Sequence, residues 1–241
     1  MKILILLVYY DRPNLVRNAL DSIRALKVDA NCDFHVAAID DGSVVPLEPI
    51  VKTHYPDIYN KFKFYRCDDT IAQKIAQGGS RMGEFMNSAI DFSDADGVCI
   101  LCDDDALQSN MVIDACAWLV NNPDKACGYW HVVDYDPTKT PPSEELLREG
   151  QCNHLLPING CCNIDSSQGF WRREAVRSKG LRWPSPQTSS LDICWYQQLY
   201  NAFGPMTFMG FFGEYKARFS GTLGNRNEAG VSYDPAKTEG L

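Results

Sequence analysis

Apolar runs and amphipathic stretches alternate along the first half of the chain. Lys2–Tyr9 is almost continuously apolar and predicts a buried strand, after which Pro13 opens a stretch where Leu15, Ala19, Ile23 and Leu26 recur at helical spacing. Residues 34–39 read as a second strand that ends in Asp40-Asp41-Gly42-Ser43, residues 47–59 as a weak helix limited by Pro49 and Pro56, and residues 61–66 as a third strand. Met82, Phe85, Met86, Ala89 and Ile90 give 80–92 a helical pattern, and the apolar run Gly97–Cys102 follows. Ser109 is placed to cap a helix over Met111–Asn121, with another strand at 128–133. Strand and helix in alternation predict a mostly parallel α/β sheet flanked by helices, and ligands in such sheets sit beyond the carboxyl ends of the strands.

The second half is less regular. From Asp134 to about Pro157 the periodicity dissolves, apart from a charged stretch at 143–150, and a connection of that length predicts a functional loop or lid. Beyond a Gly-containing turn at Asn159-Gly160, a helical pattern is read over 167–178, a proline-spaced loop at Trp183-Pro184-Ser185-Pro186, a helix over 190–203, and short strands at 206–211 and 214–219. The expected organisation is one domain over 1–220, with a nucleotide-binding part at 1–133 and an acceptor-side part at 134–220, then a polar, mobile tail at 221–241.

Composition narrows the function classes. The 241 residues carry 23 basic and 31 acidic side chains, a net charge of −8, with no basic block, which argues against a phosphate-tracking nucleic-acid surface. The ten cysteines are scattered among apolar neighbours, and Cys99 and Cys102, though spaced as a C-x-x-C pair, lie inside an apolar run without a second pair at zinc-ribbon spacing. Buried reduced thiols are expected. The four histidines show no metal spacing. The apolar start Met1–Val8 is too short to span a membrane and meets no small-residue cleavage site, so it reads as the first strand of a cytoplasmic protein, with peripheral membrane association left open.

Two strand ends carry the candidate chemistry. Asp103-Asp104-Asp105 closes the 97–102 run, and three adjacent carboxylates at the end of a buried strand need a cation or a solvated loop to take their charge. Hard cations such as Mg²⁺ and Mn²⁺ prefer oxygen ligands and commonly share them with substrate phosphates. Asp40-Asp41-Gly42-Ser43 by itself suits a turn. Beside a second acidic strand end, it suits a carboxylate that meets a base or a ribose hydroxyl. The Gly78-Gly79-Ser80-Arg81 turn before a helix offers backbone N–H groups and Arg81 to a diphosphate, with Lys74 nearby as a further candidate. Trp183, in its proline-rich loop, is the candidate for stacking on an acceptor sugar.

In order and separation, the Val8–Pro13 start, Asp40-Asp41-Gly42-Ser43, Asn87-Ser88-Ala89-Ile90, Leu101-Cys102-Asp103-Asp104-Asp105 and Ser190-Leu191-Asp192 resemble family 2 nucleotide-sugar glycosyltransferases of the GT-A fold. The resemblance covers roughly the first 220 residues and implies a Rossmann-like sheet, a nucleoside diphosphate sugar donor, Mn²⁺ or Mg²⁺, and transfer to a carbohydrate or other hydroxyl acceptor with inversion. It implies that Asp40 and Asp41 contact the base, that Asp103 and Asp105 hold ribose and metal with Asp104 between them as a nucleotide contact, and that Asp192 is the general base. The Glu that usually precedes that base is replaced by Leu191. Gln168-Gly169-Phe170-Trp171-Arg172-Arg173-Glu174-Ala175 resembles the acceptor-side segment of the family. A late His of the family has no counterpart in Tyr215–Ser220, where Lys216 and Arg218, with Arg226 beyond, are the basic candidates for closing over phosphates. Two rival readings are a sugar-1-phosphate nucleotidyltransferase, which calls for a Gly-rich basic loop where Tyr9-Tyr10-Asp11-Arg12-Pro13 stands, and a non-catalytic nucleotide-sugar or carbohydrate-binding module.

Overall fold

The computed structural model describes residues 1–135, 152–153, 166–185 and 191–217. Among these, the strands form one sheet in the order β3-β2-β1-β4-β8-β6-β9-β5, with β7 beside β6. The strands are β1 (Lys2–Tyr9), β2 (Asp33–Asp40), β3 (Phe62–Arg66), β4 (Gly97–Cys102), β5 (Ala106–Leu107), β6 (Cys127–Tyr135), β7 (Cys152–Asn153), β8 (Gly169–Arg172) and β9 (Thr207–Ala217). The helices are α1 (Val16–Arg24), α2 (Leu47–His54), α3 (Ile71–Ala76), α4 (Met82–Asp91), α5 (Met111–Asn121), α6 (Arg173–Ser178) and α7 (Leu191–Phe203).

β3, β2, β1 and β4 run parallel; the apolar runs of β1, β2 and β4 follow from burial on both faces, whereas β3 (FKFYR), on the outer side of β2, is only partly buried. Ile3, Ile5, Leu7 and Tyr9 of β1 face one core with Ala19, Ile23, Val51 and Met111 of the helices. Leu4 and Leu6 face the other, with Met86 and Ile90 of α4 and Trp195 and Leu199 of α7. A strand needs this two-sided cover because each residue it exposes would forgo about 1.5–3 kcal/mol of apolar burial. The register sets the site: Tyr9 pairs with Asp40 and Val8 with Cys102, so both acidic motifs leave the sheet at the same edge, on either side of β1.

Beyond β4 the sheet becomes mixed, and the helical expectation for 167–178 is corrected. A 3-10 turn at Ser166–Gln168 leads into β8, antiparallel to both β4 and β6, and the helix starts only at Arg173. Alternation decides it: Phe170 enters the first core, edge-on to Trp118 at 5.8 Å, while Trp171 enters the second, 5.3 Å from Trp195. A Cβ on Gly169 would lie 2.2 Å from the Tyr196 hydroxyl, which is why this strand begins on glycine. The two strands expected at 206–211 and 214–219 are one, β9, whose register against β6 shifts around His131. Its glycines absorb the irregularity, Gly210 with φ +83° and Gly213 with its Cα against the Trp130 ring. The short helix α3, absent from the pattern reading, is closed at its start by a capping box between Thr70 and Gln73.

Cys32, Cys67, Cys99, Cys116 and Cys127 are buried and in no disulfide, as the scattering of cysteines implies, whereas Cys194 is exposed on α7. Burial pushes the Cys116 thiol up to about 12. The expected lid, apart from its first residues and the β7 pair, and the tail at 221–241 lie outside the described residues. No helix among the described residues is long and apolar enough to cross a membrane.

Candidate active site

The loop after β1 is the wall between the two acidic strand ends. Asp11 takes a left-handed backbone, φ +46°, an uncommon conformation for a residue with a Cβ. Its amide donates to Ser43 Oγ at 3.0 Å, and its carboxylate accepts from the Val44 amide at 2.6 Å, which clamps this loop to the turn after β2. The two outer strands flanking β1 stand two strand spacings apart, about 10 Å, enough for a nucleoside diphosphate to lie across.

Asp40 is 5% exposed and faces inward. One oxygen accepts from the Ser43 amide at 2.8 Å, the other from the Leu47 amide at 3.1 Å and from Arg66 Nη1 at 2.8 Å. It therefore builds the turn and the start of α2, where a carboxylate also favours the helix dipole. Asp41 points the other way. Lys74 Nζ lies 3.0 Å from Asp41 Oδ2 and also donates to the Asp41 carbonyl, and Ser80 Oγ donates to Oδ1. Gly42, with φ +79°, makes room, since a Cβ there would come within 2.7 Å of the Cys67 carbonyl.

Lys74 is 3% exposed, although α3 turns its Ile71 and Ile75 to solvent at 49% and 51%. This inverted helix is docked by its polar residue. Lys74 is thus engaged by Asp41 instead of reaching for a phosphate, and its ammonium also sits 5.0 Å over the Tyr10 ring. Arg81 makes a two-point contact with Asp69, at 2.8 and 3.2 Å, and lies 3.8 Å from Glu84, with 42% of its side chain exposed. Those hydrogen bonds from Arg81, with others from Gln77 and Cys67, hold the Asp69 carboxyl well below the usual carboxylate range.

On the β4 side the three carboxylates diverge. Asp103 turns toward β1, accepting from the Tyr10 amide at 2.9 Å and from Arg12 Nη1 at 3.1 Å. Arg12 also reaches Asp104 at 2.8 Å, so one guanidinium spans two of the three carboxylates. Burial pushes the Asp103 carboxyl upward, Arg12 and the Tyr10 amide oppose this, and Asp104 and Asp105 add to it. Arg12 was not among the sequence candidates. Its signal was the need of three adjacent carboxylates for a cation, met by an arginine at the neighbouring strand end.

A turn closed by the Asp105 amide on the Cys102 carbonyl, at 3.2 Å, gathers Cys102, Asp104 and Asp105 so that one ligand atom from each lies within 4.8 Å of the others. Two carboxylates suit Mn²⁺ or Mg²⁺, which take hard oxygen ligands, while the thiol is a soft donor that neither ion requires. The residues present fit a divalent cation shared with phosphate oxygens. The structure brings Asp104, more than Asp103, to the side of Asp105.

Asp192 is the second residue of α7; its side chain lies outside the described residues. The same holds for the Lys216 side chain and for Arg218 and Arg226. Trp183 is corrected as an acceptor platform: it is 2% exposed and stacks on Trp195 at 4.4 Å, inside the second core. A hollow of about 630 Å³ lined by Met1, Asp29, Cys32, Cys116 and Val120 lies by the start of β1, at the opposite end of the sheet from this chemistry.

No protein-family model matches the chain, and no curated protein matches it in sequence. Solved structures do. TarS of S. aureus, residues 1–349 in complex with UDP-GlcNAc, superposes with a TM-score of 0.66 at 15% identity, covering 92% of this chain and 60% of that one. A longer TarS structure gives 0.64 at 14% identity, covering 90% and 37%. The mannosyltransferase PcManGT from Pyrobaculum calidifontis, in complex with GDP-Man and Mn²⁺, gives 0.59 at 12% identity, covering 90% and 57%. The chain thus spans less than two thirds of these neighbours, and the likeness shows a GT-A fold, the fold that the motif resemblance implies.

Proposed function

We propose that this chain moves a sugar from a nucleoside diphosphate sugar to an acceptor hydroxyl, with inversion at the anomeric carbon and with the help of Mn²⁺ or Mg²⁺. The observation that carries the reading is the pair of acidic strand ends across β1, Asp41 on one side and Asp104 with Asp105 on the other. Structural neighbours on the same fold hold UDP-GlcNAc in one case and GDP-Man with Mn²⁺ in another.

Asp41, held by Lys74 and Ser80, accepts from an N–H of the base or a hydroxyl of the ribose. Asp40 keeps the turn that presents it. Asp103, fixed by the Tyr10 amide and Arg12, borders the ribose, while Asp104 and Asp105 hold the divalent cation. When bound, that cation neutralises charge developing on the leaving diphosphate. Arg81 and the backbone N–H groups of its Gly-Gly turn offer a further positive edge to the diphosphate.

Asp192 takes the proton of the acceptor hydroxyl as that oxygen attacks the anomeric carbon from the face opposite the diphosphate. The new C–O bond forms, the old one breaks, and its electron pair leaves with the diphosphate. So good a leaving group needs no general acid, although the transition state has the oxocarbenium character familiar from glycoside hydrolysis. An aspartate suffices as base because the hydroxyl acidifies as its oxygen forms the bond.

A panel of nucleoside diphosphate sugars, with and without Mn²⁺, scored for release of the nucleoside diphosphate tests this reading. Metal-dependent release from at least one donor is expected. Release of pyrophosphate from a nucleoside triphosphate and a sugar 1-phosphate would favour a nucleotidyltransferase instead, and binding without any turnover would favour a non-catalytic module.

A further inference from the structure

Four consecutive residues ahead of α7 are each matched to one residue of α4. Arg182 Nη1 meets both oxygens of Asp91, at 2.8 and 2.9 Å. The Trp183 amide donates to Asn87 Oδ1 at 2.9 Å, and Asn87 Nδ2 donates back to the Trp183 carbonyl at 3.0 Å. The Pro184 carbonyl packs on Gly83 so closely that a Cβ there would lie 2.1 Å from its oxygen, and Ser185 Oγ donates to Glu84 Oε1 at 3.0 Å. Positions 83, 84, 87 and 91 share one helix face, so the segment runs along α4 in a fixed register.

The same segment grips α7. Gln198 Nε2 donates to the Arg182 carbonyl at 3.0 Å, and the Trp183 ring stacks on Trp195 with centroids 4.4 Å apart and planes at 20°. Trp195 follows Asp192 by three residues, a little under one helical turn. At its N-terminus α4 begins beside Ser80, whose hydroxyl donates to Asp41. One helix therefore runs from the donor-side carboxylate to the base-bearing helix.

Asn87 is the joint. Asparagine is a mediocre helix former, so its place inside α4 costs a little helix propensity. What it supplies is one donor and one acceptor side by side, which satisfy both backbone groups of Trp183 in a part-buried setting. Aspartate keeps the acceptor and loses the donor. Alanine loses both.

We propose that Asn87 is a positioning residue that fixes α7, and with it Asp192, against the donor-binding strand ends. The proposal rests on Asp192 being the base only for its effect on turnover; the placement of α7 is tested separately. Misplacement of a reacting group by about 1 Å can cost about a hundredfold in rate while leaving substrate affinity alone.

The experiment uses the full chain as wild type, Asn87→Asp, Asn87→Ala and Asp192→Asn. UDP-GlcNAc and GDP-mannose, each with Mn²⁺, serve as donors, and UDP and GDP as binding probes. For Asn87→Asp we expect nucleotide Kd within about twofold of wild type, kcat lower by about 10- to 100-fold and donor KM unchanged. Hydrogen exchange in α7 should be faster by about tenfold, and the near-ultraviolet circular dichroism of the Trp183–Trp195 stack weaker. Unchanged exchange and dichroism in a folded Asn87→Asp protein would overturn the proposal, as would a loss of nucleotide affinity parallel to the loss of kcat. If neither Asn87→Asp nor Asn87→Ala folds, Asn87→Ser, which keeps a single hydrogen-bonding group at the joint, takes their place with the same readouts, and unchanged exchange in α7 with unchanged kcat would overturn the proposal. Should Asp192→Asn retain full turnover, the base assignment fails while exchange in α7 still decides the role of Asn87. Should Asp192→Asn abolish turnover while Asn87→Asp leaves kcat intact, only the role of Asn87 fails. If neither donor turns over, exchange and dichroism decide it.

Discussion

Lys74→Met separates a buried clasp from a solvated surface pair. The Lys74 side chain is 4% exposed and Asp41 16%, with Nζ 3.0 Å from Oδ2, and a second bond from the same ammonium closes on the Asp41 carbonyl. Removing one partner of a fully buried pair costs about 3–5 kcal/mol, because the other charge is left desolvated. Water reaches Asp41 in part and Ser80 still donates to it, so the expected loss is smaller, about 2 kcal/mol. For a chain of this size that corresponds to a fall in Tm of about 4–8 °C. The charge, more than the packing, is what is lost, since methionine fills a similar volume. Lys74→Met combined with Asp41→Leu should therefore recover most of the stability while nucleotide binding stays impaired. Urea unfolding of the two single variants and the double gives the coupling energy directly, provided the m-value is unchanged. Because α3 exposes Ile71 and Ile75, hydrogen exchange over 69–80 should rise in Lys74→Met more than in the strands of the sheet. A loss below about 0.5 kcal/mol, the range of ordinary surface substitutions, would refute the clasp.

Asp192→Asn should keep nucleotide affinity and lower kcat by about 10²- to 10⁴-fold, the usual contribution of a general base, as steady-state kinetics would show. Cys102→Ser should leave the Mn²⁺ response of nucleotide binding within about threefold, since the ion prefers oxygen; a switch of preference to Zn²⁺ in the wild type would contradict this. His35 supplies a pH effect. Burial lowers its pKa below 6.5, with Asp94 and Asp33 opposing and Lys2 and Lys61 assisting, and its Nε2 lies 2.9 Å from Ser93 Oγ. Between the lowered folded value and 6.5 the unfolded chain binds more protons, so this contribution rises with pH across that window and is lost as pH falls through it. The stability difference between wild type and His35→Gln, from urea midpoints at several pH values, should accordingly shrink below 6.5 and stay level above it.

Much of the first half was legible because β1, β2 and β4 are buried on both faces. β1 and β4 read as strands from unbroken apolar runs, and the acidic motifs after β2 and β4 leave the sheet at one edge. What stayed illegible depends on partners distant in sequence. α3 shows an inverted pattern, two exposed isoleucines and a buried lysine, that makes sense only beside Asp41. β8 is a four-residue strand fused to a helix, so a single helical window absorbs it, although Phe170 and Trp171 face opposite cores. The prolines around Trp183 suggest an exposed loop, but the indole stacks on Trp195 in the core while Asn87 pairs with the Trp183 backbone.

The acidic motifs show the same limit at atomic scale. Residue spacing puts three carboxylates at one strand end, yet which of them turns toward β1 follows from the Cys102–Asp105 turn and from Arg12, one strand away. Likewise, two adjacent aspartates after β2 divide their work: Asp40 caps its own turn and Asp41 faces Lys74 and Ser80.

The central claim, a metal-assisted nucleoside diphosphate site at these strand ends, meets its most direct test in calorimetric titration of UDP and GDP into the wild type and Asp105→Asn, with and without Mn²⁺. At least one nucleotide should bind about tenfold or more tighter with Mn²⁺, a gain of about 1.4 kcal/mol or more, and the gain should vanish in Asp105→Asn. Equal affinity with and without the metal for both nucleotides, or a metal effect that persists undiminished in Asp105→Asn, would contradict the account.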